Sequence, residues 1–390
     1  MMMNLEDIDK KYVLNTYARN YTNFKRGDNA TLFDENNNDF IDFTSGIGVV
    51  SVGHANKVVS QAICEQAKNI LHISNLYMIE PQAKLAKKIV ELSGLDGGVF
   101  FANSGAEANE GALKIARKYG EVDGEIKRYK VITLKHSFHG RTISTLKATG
   151  QESMHNYFGP FPDGFVYADD IEKIESLLDD HTVAVMIELV QGEGGVEPLQ
   201  KQKVQNLAKL LKQKDILLIV DEVQTGVYRT GEFLASNLYG IKPDIVTLAK
   251  GLGGGVPIGA VLTTKKDVLK TGDHGSTYGG NYLVTRASLE VLNILEKADL
   301  KSTINYFNQK LSSLLKYDFV QKEVGLGLMR GLRIKDADTL TKLINECFNQ
   351  KVLVLKAGRN TLRFLPPLTI TKEEIDEGFK RVEKAFNTIS

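Results

Sequence analysis

Between residues 99 and 263, short and nearly uninterrupted apolar runs alternate with stretches of helical periodicity. Residues 99–102, 130–134, 183–189, 216–220, 245–249 and 260–263 read as strands, and 106–119, 171–178 and 204–214 as helices. A strand exposed on one face alternates apolar and polar residues. These do not, so both faces of their sheet must be covered. The chain is thereby constrained to an α/β fold with a mostly parallel sheet under helices. Earlier, residues 31–33 and 40–43 flank an Asn36-Asn37-Asn38 turn as a hairpin, and 81–92 is helical with Pro81 in its first turn. After Tyr282 the pattern changes to long helices, short strands at 352–356 and 361–364, and a closing helix from Lys372. The predicted division is an N-terminal segment, 1–60, joining the small domain, a large domain at 61–282, and a C-terminal small α+β domain at 283–390.

Composition excludes several classes of function. The 49 Lys and Arg against 48 Asp and Glu leave a net charge of +1, with no field to attract nucleic acid or an anionic membrane. A hydrophobic content of 42% rules out a largely disordered chain. The two cysteines, Cys64 and Cys347, cannot form a disulfide framework. Residues 1–10 carry Glu6, Asp7 and Asp9 and lack the apolar stretch of a secretion signal, and no apolar run approaches the length of a membrane span. A cytoplasmic location is the expectation.

Parallel sheets bind ligands beyond the carboxyl ends of their strands. Chemistry is therefore expected just after Ala102, Leu134, Leu189, Val220 and Ala249, where the glycine clusters also fall. Asn103-Ser104-Gly105-Ala106-Glu107 opens a helix and exposes free N–H groups suited to a phosphate. Ser104 with Glu107 is equally a capping box, the stronger reading of that turn taken alone. Neither a Walker A sequence nor a dinucleotide fingerprint is present, and the Gly-x-Gly pattern at 325–331 does not lead into a helix. Asp221 ends a buried strand, an expensive place for a carboxylate without a partner. Lys250 ends another and is followed by Gly251, Gly253, Gly254 and Gly255. A lysine desolvated there becomes a nucleophile. Lys135 and Lys356 also follow apolar runs, and spacing alone does not choose among the three. Between these sites, His136-Ser137-Phe138-His139-Gly140-Arg141 sets a ring beside a guanidinium, a match for a planar ligand bearing a carboxylate. No metal site is expected from the two histidines, which lack further ligands around them. An amine, a carboxylate, a phosphate cradle, an aromatic ring and arginines are together the parts that pyridoxal 5'-phosphate requires.

The sequence resembles the class III, ornithine-type aminotransferases along almost its whole length. The resemblance rests on Gly53-His54, residues 103–110, Phe138-His139-Gly140-Arg141-Thr142, residues 191–195, residues 221–226, Arg229-Thr230-Gly231, Lys250-Gly251-Leu252, residues 274–281 and Leu362-Arg363-Phe364. It implies the type I pyridoxal-phosphate transferase fold, with the cofactor in the large domain. It also implies a homodimer with active sites at the subunit interface, and small amino and keto acids rather than nucleic acid or membrane as partners. By the resemblance Lys250 is the Schiff-base lysine, Asp221 holds the ring nitrogen, Phe138 stacks on the ring and Gln224 bonds the ring oxygen. Ser104, Gly105 and Ala106 bind phosphate, with Thr277 reaching in from the other subunit. Arg141 grips a substrate carboxylate, Ser276 belongs to the substrate site, and Glu193 and Arg363 form a switchable pair. Glu188 is expected to support Gln224 or its surroundings.

The stretches Ser74-Asn75-Leu76-Tyr77, Glu80-Pro81-Gln82 and Ser45-Gly46-Ile47 are similar to the branch acting on N-acetyl-L-ornithine with 2-oxoglutarate, in arginine biosynthesis. Ornithine, succinylornithine, 4-aminobutyrate and N-succinyl-diaminopimelate stay open as donors, and a non-catalytic cofactor-binding role is the alternative of another class. The sequence departs from many relatives at Leu189 and Tyr282, where they carry Pro, and at Asn56-Lys57, where they carry His-Pro.

Overall fold

The computed structural model describes residues 4–389. Its centre is a seven-stranded sheet in the order Gly98–Ala102, Gly259–Thr263, Ile245–Leu248, Leu217–Asp221, Thr182–Ile187, Lys130–Leu134, Phe165–Ala168. Gly259–Thr263 runs antiparallel to both its neighbours, and the other six strands run parallel to one another. The reversal follows from chain length. A parallel crossover needs about a dozen residues or more, and the connection 249–258 is shorter and rich in glycine. Every residue of Thr182–Ile187 and Leu217–Asp221 is buried, which accounts for their unbroken apolar runs.

The helix Gly105–Tyr119 covers one face with Ala108, Ala112, Leu113, Ile115 and Ala116. Ser104 caps it, accepting from the Glu107 N–H at 3.2 Å, while Glu107 reaches back to the Asn103 N–H at 2.5 Å. Lys201–Gln213 covers the other face through Val204, Leu207 and Leu211.

The two ends of the chain meet. Residues 24–28, 31–34 and 39–42 form an antiparallel sheet whose last strand pairs in parallel with Val352–Leu353. A second antiparallel sheet takes the order Val320–Leu326, Met329–Ile334, Thr361–Phe364, Leu355–Ala357. Between these elements Phe43 packs its ring 5.3 Å from both Phe307 and Phe379, with Phe364 at 6.1 Å. Each such buried ring stabilises the fold by about 1.5–3 kcal/mol. Gly378 is what lets Phe43 enter: a Cβ there would lie 2.2 Å from the ring.

One segment differs from the sequence reading, and three others take a form it left open. Residues 171–178 are two short 3-10 turns, Ile171–Lys173 and Glu175–Leu177, rather than one helix. Asp170 caps the first, and Leu178 is already extended, so the stretch is too short to nucleate an α-helix. The glycine pattern at 325–331 is the turn of a hairpin joining Val320–Leu326 to Met329–Ile334. Gly327 has φ +58°, and a Cβ on it would lie 2.5 Å from the Thr230 backbone. Asn56 caps a further helix, Lys57–Asn69, accepting from the Val58 and Val59 N–H groups, so that departure is a helix cap. Tyr282 begins the helix Tyr282–Leu295, a first-turn position where proline is also tolerated.

Candidate active site

The carboxyl ends of the parallel strands enclose a cavity of about 420 Å³. It brings together Ser104, Gly105, Ala106, Phe138, Arg141, Glu188, Glu193, Asp221, Gln224 and Lys250. Lys250 follows Ile245–Leu248 with φ +42°, a strained left-handed conformation of the kind that collects at functional sites. Among the described residues nothing bonds its amine. Burial, with Arg363 beside it, pulls the amine down to about 8. Lys135 is elsewhere, paired with Asp169 at 2.6 Å on the surface, and Lys356 is exposed outside the cavity.

Asp221 closes Leu217–Asp221 and is 4% exposed. One carboxylate oxygen accepts from His139 Nδ1 and Asn109 Nδ2, each at 2.8 Å. The other accepts from the Val223 N–H at 3.0 Å and lies 3.4 Å from the Thr247 hydroxyl. Asn109 also donates to the His139 carbonyl at 2.7 Å, tying both supports to each other. Paired with a carboxylate, His139 Nδ1 is the donor, and among the described residues the buried His139 Nε2 has no partner. The sequence reading missed Asn109 and His139 as supports. Their spacing of 30 residues carries no local signal, although both lie within the segments that carried the resemblance. His139 turns to Asp221, and no group of three His, Cys, Asp or Glu among the described residues could hold a metal.

At the helix N-terminus the first helical bond is Ala108 N–H to the Ser104 carbonyl, so the N–H groups of Gly105 and Ala106 remain open toward the cavity. A Cβ on Gly105 would press to 2.7 Å from Val223. Phe138 is half-buried, with the exposed Arg141 guanidinium 5.6 Å from its ring centre.

Arg363 and Glu193 meet at 2.7 Å, the arginine side chain 3% exposed and the glutamate 31%. The same Arg363 Nη1 lies 3.4 Å from Gln224 Oε1, and Arg363 Nε has no partner. Gln224 has its room from Gly192, where a Cβ would come within 2.5 Å of Oε1. Glu188 makes no bond to Gln224. It accepts from the Phe138 N–H at 3.4 Å, and burial next to Asp221 pushes its carboxyl well above the usual range.

Three predicted site residues, Arg363, Thr277 and Ser276, are not among those lining this cavity. Thr277 is exposed, and Ser276 accepts from Asn103 Nδ2 at 3.2 Å at the cavity's edge.

An amine, a clamped carboxylate, open N–H groups and a ring at the ends of a mostly parallel sheet define a site for a phosphorylated aromatic cofactor. The family model for aminotransferase class-III matches residues 15–386, and the chain belongs to that family. It is 58% identical to the acetylornithine aminotransferase of Wolinella succinogenes, across 98% of this chain and all of that one. Among solved structures, an ornithine aminotransferase from Toxoplasma gondii superposes with a TM-score of 0.92 at 33% identity, covering 98% of this chain and 94% of its own; its description records PLP at the active site. The N-acetylornithine aminotransferase of Stenotrophomonas maltophilia matches with a TM-score of 0.83 at 32% identity, covering 98% and 99%.

The chain is an aminotransferase dependent on pyridoxal 5'-phosphate. The residues present fit that group: an unbonded, depressed amine at Lys250, open N–H groups at Gly105 and Ala106, and a cradle at Gly105 that a Cβ would fill.

Proposed function

We propose that this chain moves the δ-amino group of N-acetyl-L-ornithine to 2-oxoglutarate, giving N-acetyl-L-glutamate 5-semialdehyde and L-glutamate. The reading places it in arginine biosynthesis, as a cytoplasmic homodimer with Thr277 completing the partner's phosphate site. It divides the chain at residues 60 and 282 into an N-terminal segment, a large cofactor domain and a small domain. Exposed Leu76, Tyr77, Met78 and Tyr278 support a second copy covering that edge.

Pyridoxal phosphate supplies a carbonyl to carry the amino group and a ring to take up electrons. In this reading Lys250 holds that carbonyl. Ser104 and the N–H groups of Gly105 and Ala106 hold the phosphate at the positive end of the helix. Phe138 covers one face of the ring and Gln224 bonds its oxygen. Asp221 presents a fixed negative charge to the ring nitrogen. When its amine is free, Lys250 would be the base in the cavity, holding and moving a substrate proton at Nζ. Near neutral pH a pKa of about 8 leaves it with a usable neutral fraction. Arg141 grips the carboxylate far from the reacting amine.

The observation that carries the dual-substrate reading is the ion pair of buried Arg363 with part-exposed Glu193, which lines the cavity together with Lys250. Acetylornithine brings an amine with no adjacent carboxylate, and Glu193 neutralises Arg363 while it reacts. Glutamate brings a carboxylate beside its amine, and takes Arg363 once Glu193 withdraws. A donor panel with 2-oxoglutarate fixed tests the assignment. N-Acetylornithine is expected to give the highest kcat/KM; a higher value for 4-aminobutyrate or free ornithine would replace it.

A further inference from the structure

The exposed side of the helix Gly105–Tyr119 carries a stripe of polar residues that the chemistry above leaves unused. Glu107, Glu110 and Lys114 recur at helical spacing, in line with Asn103 just before the helix. Glu107 bonds back to Asn103, and the other three each reach a neighbouring loop. Asn103 bonds Ser276, and Lys114 lies 3.2 Å from His274 Nδ1 on the same loop. Glu110 faces the other loop. Its Oε1 accepts from the Thr142 hydroxyl at 2.5 Å and lies 3.4 Å from the Thr145 N–H.

Thr142 directly follows Arg141. Its own N–H donates to Thr145 Oγ1 at 3.1 Å, and the two hydroxyls are 2.7 Å apart, so the turn is a closed ring of bonds with Glu110 as its outside anchor. On the other side of Arg141, Gly140 has φ +140° and is wedged, its missing Cβ position 2.4 Å from Thr145 Oγ1 and 2.9 Å from Ala106 Cβ. Arg141 itself is exposed, and among the described residues no hydrogen bond or ion pair fixes its guanidinium; its ring contact is Phe138 at 5.6 Å. Where that guanidinium stands is therefore set by its backbone. The backbone is fastened to the same helix whose first turn receives the phosphate.

We propose that Glu110 is a positioning residue for Arg141: through Thr142 it fixes the distance between the substrate-carboxylate grip and the phosphate end of the site. This rests on the reading of Arg141 as that grip. A carboxylate anchor suits the task because a charged acceptor makes a shorter and stiffer bond to a hydroxyl than a neutral one. The length of substrate accepted is then measured from a fixed helix terminus rather than from a mobile loop. Misplacing a positioning group by about 1 Å costs on the order of a hundredfold in favourable cases.

The test uses the cofactor-loaded enzyme and glutarate, a dicarboxylate with no amine, whose dissociation constant is read by calorimetry without turnover. Glu110→Ala and Thr142→Val are each expected to weaken glutarate by about tenfold. KM for N-acetylornithine and 2-oxoglutarate should rise by a similar factor, with kcat and cofactor affinity within about twofold. Thr142→Ser keeps the hydroxyl and should restore both. The double variant should weaken glutarate by less than the product of the two single effects, because the variants share the Thr142–Glu110 bond. Glutarate binding unchanged in Thr142→Val, or kcat and cofactor affinity falling in step with it, would reduce Glu110 to an ordinary fold contact. Arg141→Ala separates the two claims. If it leaves glutarate untouched, the grip is elsewhere and the reading of Arg141 fails on its own. If it weakens glutarate while the Glu110 and Thr142 variants do not, only the positioning role falls.

Discussion

Of the three carboxylates lining the cavity, Asp221 and Glu193 are held in opposite ways. Asp221 is buried under bonds from His139, Asn109 and the Val223 N–H, and its supports are bonded to each other. Among the described residues the Glu193 carboxylate has a single partner, Arg363, and nearly a third of its side chain is in solvent. A fully bonded buried acid has no second arrangement available, since every alternative leaves several donors unsatisfied. A part-exposed acid on a single partner can itself turn to water, and the cost falls on buried Arg363 until an incoming carboxylate replaces it. The first suits a charge required throughout a reaction, and the second a charge required for only one of two substrates. The difference lies in the number of partners and the access of water, not in residue type.

The largest effect on this contrast is expected at the amine both carboxylates serve. Lys250→Ala should reduce turnover by about 10⁴-fold or more, while Lys135→Ala and Lys356→Ala leave it intact. Reductive labelling and peptide mapping check the same point, and a label on Lys135 would overturn the assignment. Asp221→Asn keeps shape and loses charge. A fall of about 10²–10³-fold in both half-reactions, followed by stopped-flow absorbance, is expected from removing a preorganised charge. Near-normal rates would make Asp221 a structural partner only.

His139→Asn leaves Asp221 its charge and takes away one of its supports. A drop of about tenfold is expected, with a shifted pH dependence of the cofactor's absorbance as the sign that the carboxylate has moved. Glu193 should behave otherwise. Glu193→Ala should speed the glutamate half-reaction relative to the acetylornithine one by about tenfold, and Arg363→Ala should damage mainly glutamate and 2-oxoglutarate. Equal effects of Glu193→Ala on both donors would erase the contrast between a fixed and a movable acid.

The smallest effect is one of stability. Burial lowers the Lys250 amine from 10.5 to about 8, so folding disfavours its charged form. In the cofactor-free protein that cost is fully present below about 8 and vanishes as pH rises past 10.5. The cofactor-free wild type should therefore gain stability over Lys250→Met across that window, as denaturant midpoints of the two proteins would show. A constant difference would mean the amine is better solvated than its surroundings imply.

Much of this was legible in the chain itself. The unbroken apolar runs required a covered, mostly parallel sheet, because water cannot be kept from such strands any other way. That rule in turn placed Lys250, Asp221 and the Ser104 turn at one edge. The strained backbone of Lys250 was not legible, nor was the reversal of Gly259–Thr263, because both depend on how a short connection closes in space. The hairpin at Val320–Ile334 was overlooked because its turn glycine, Gly327, answers to the Thr230 backbone, a neighbour about a hundred residues away in sequence. For the same reason sequence named Asp221 but not its holders. The proposed catalytic side chains, Asp221 and Lys250, sit at strand ends, where local pattern finds them. Asn109 lies on a helix and His139 on a loop, and only packing brings their donors to one oxygen. Local order is written in neighbouring residues, whereas the fixity of a charge is decided by partners that the fold alone assembles.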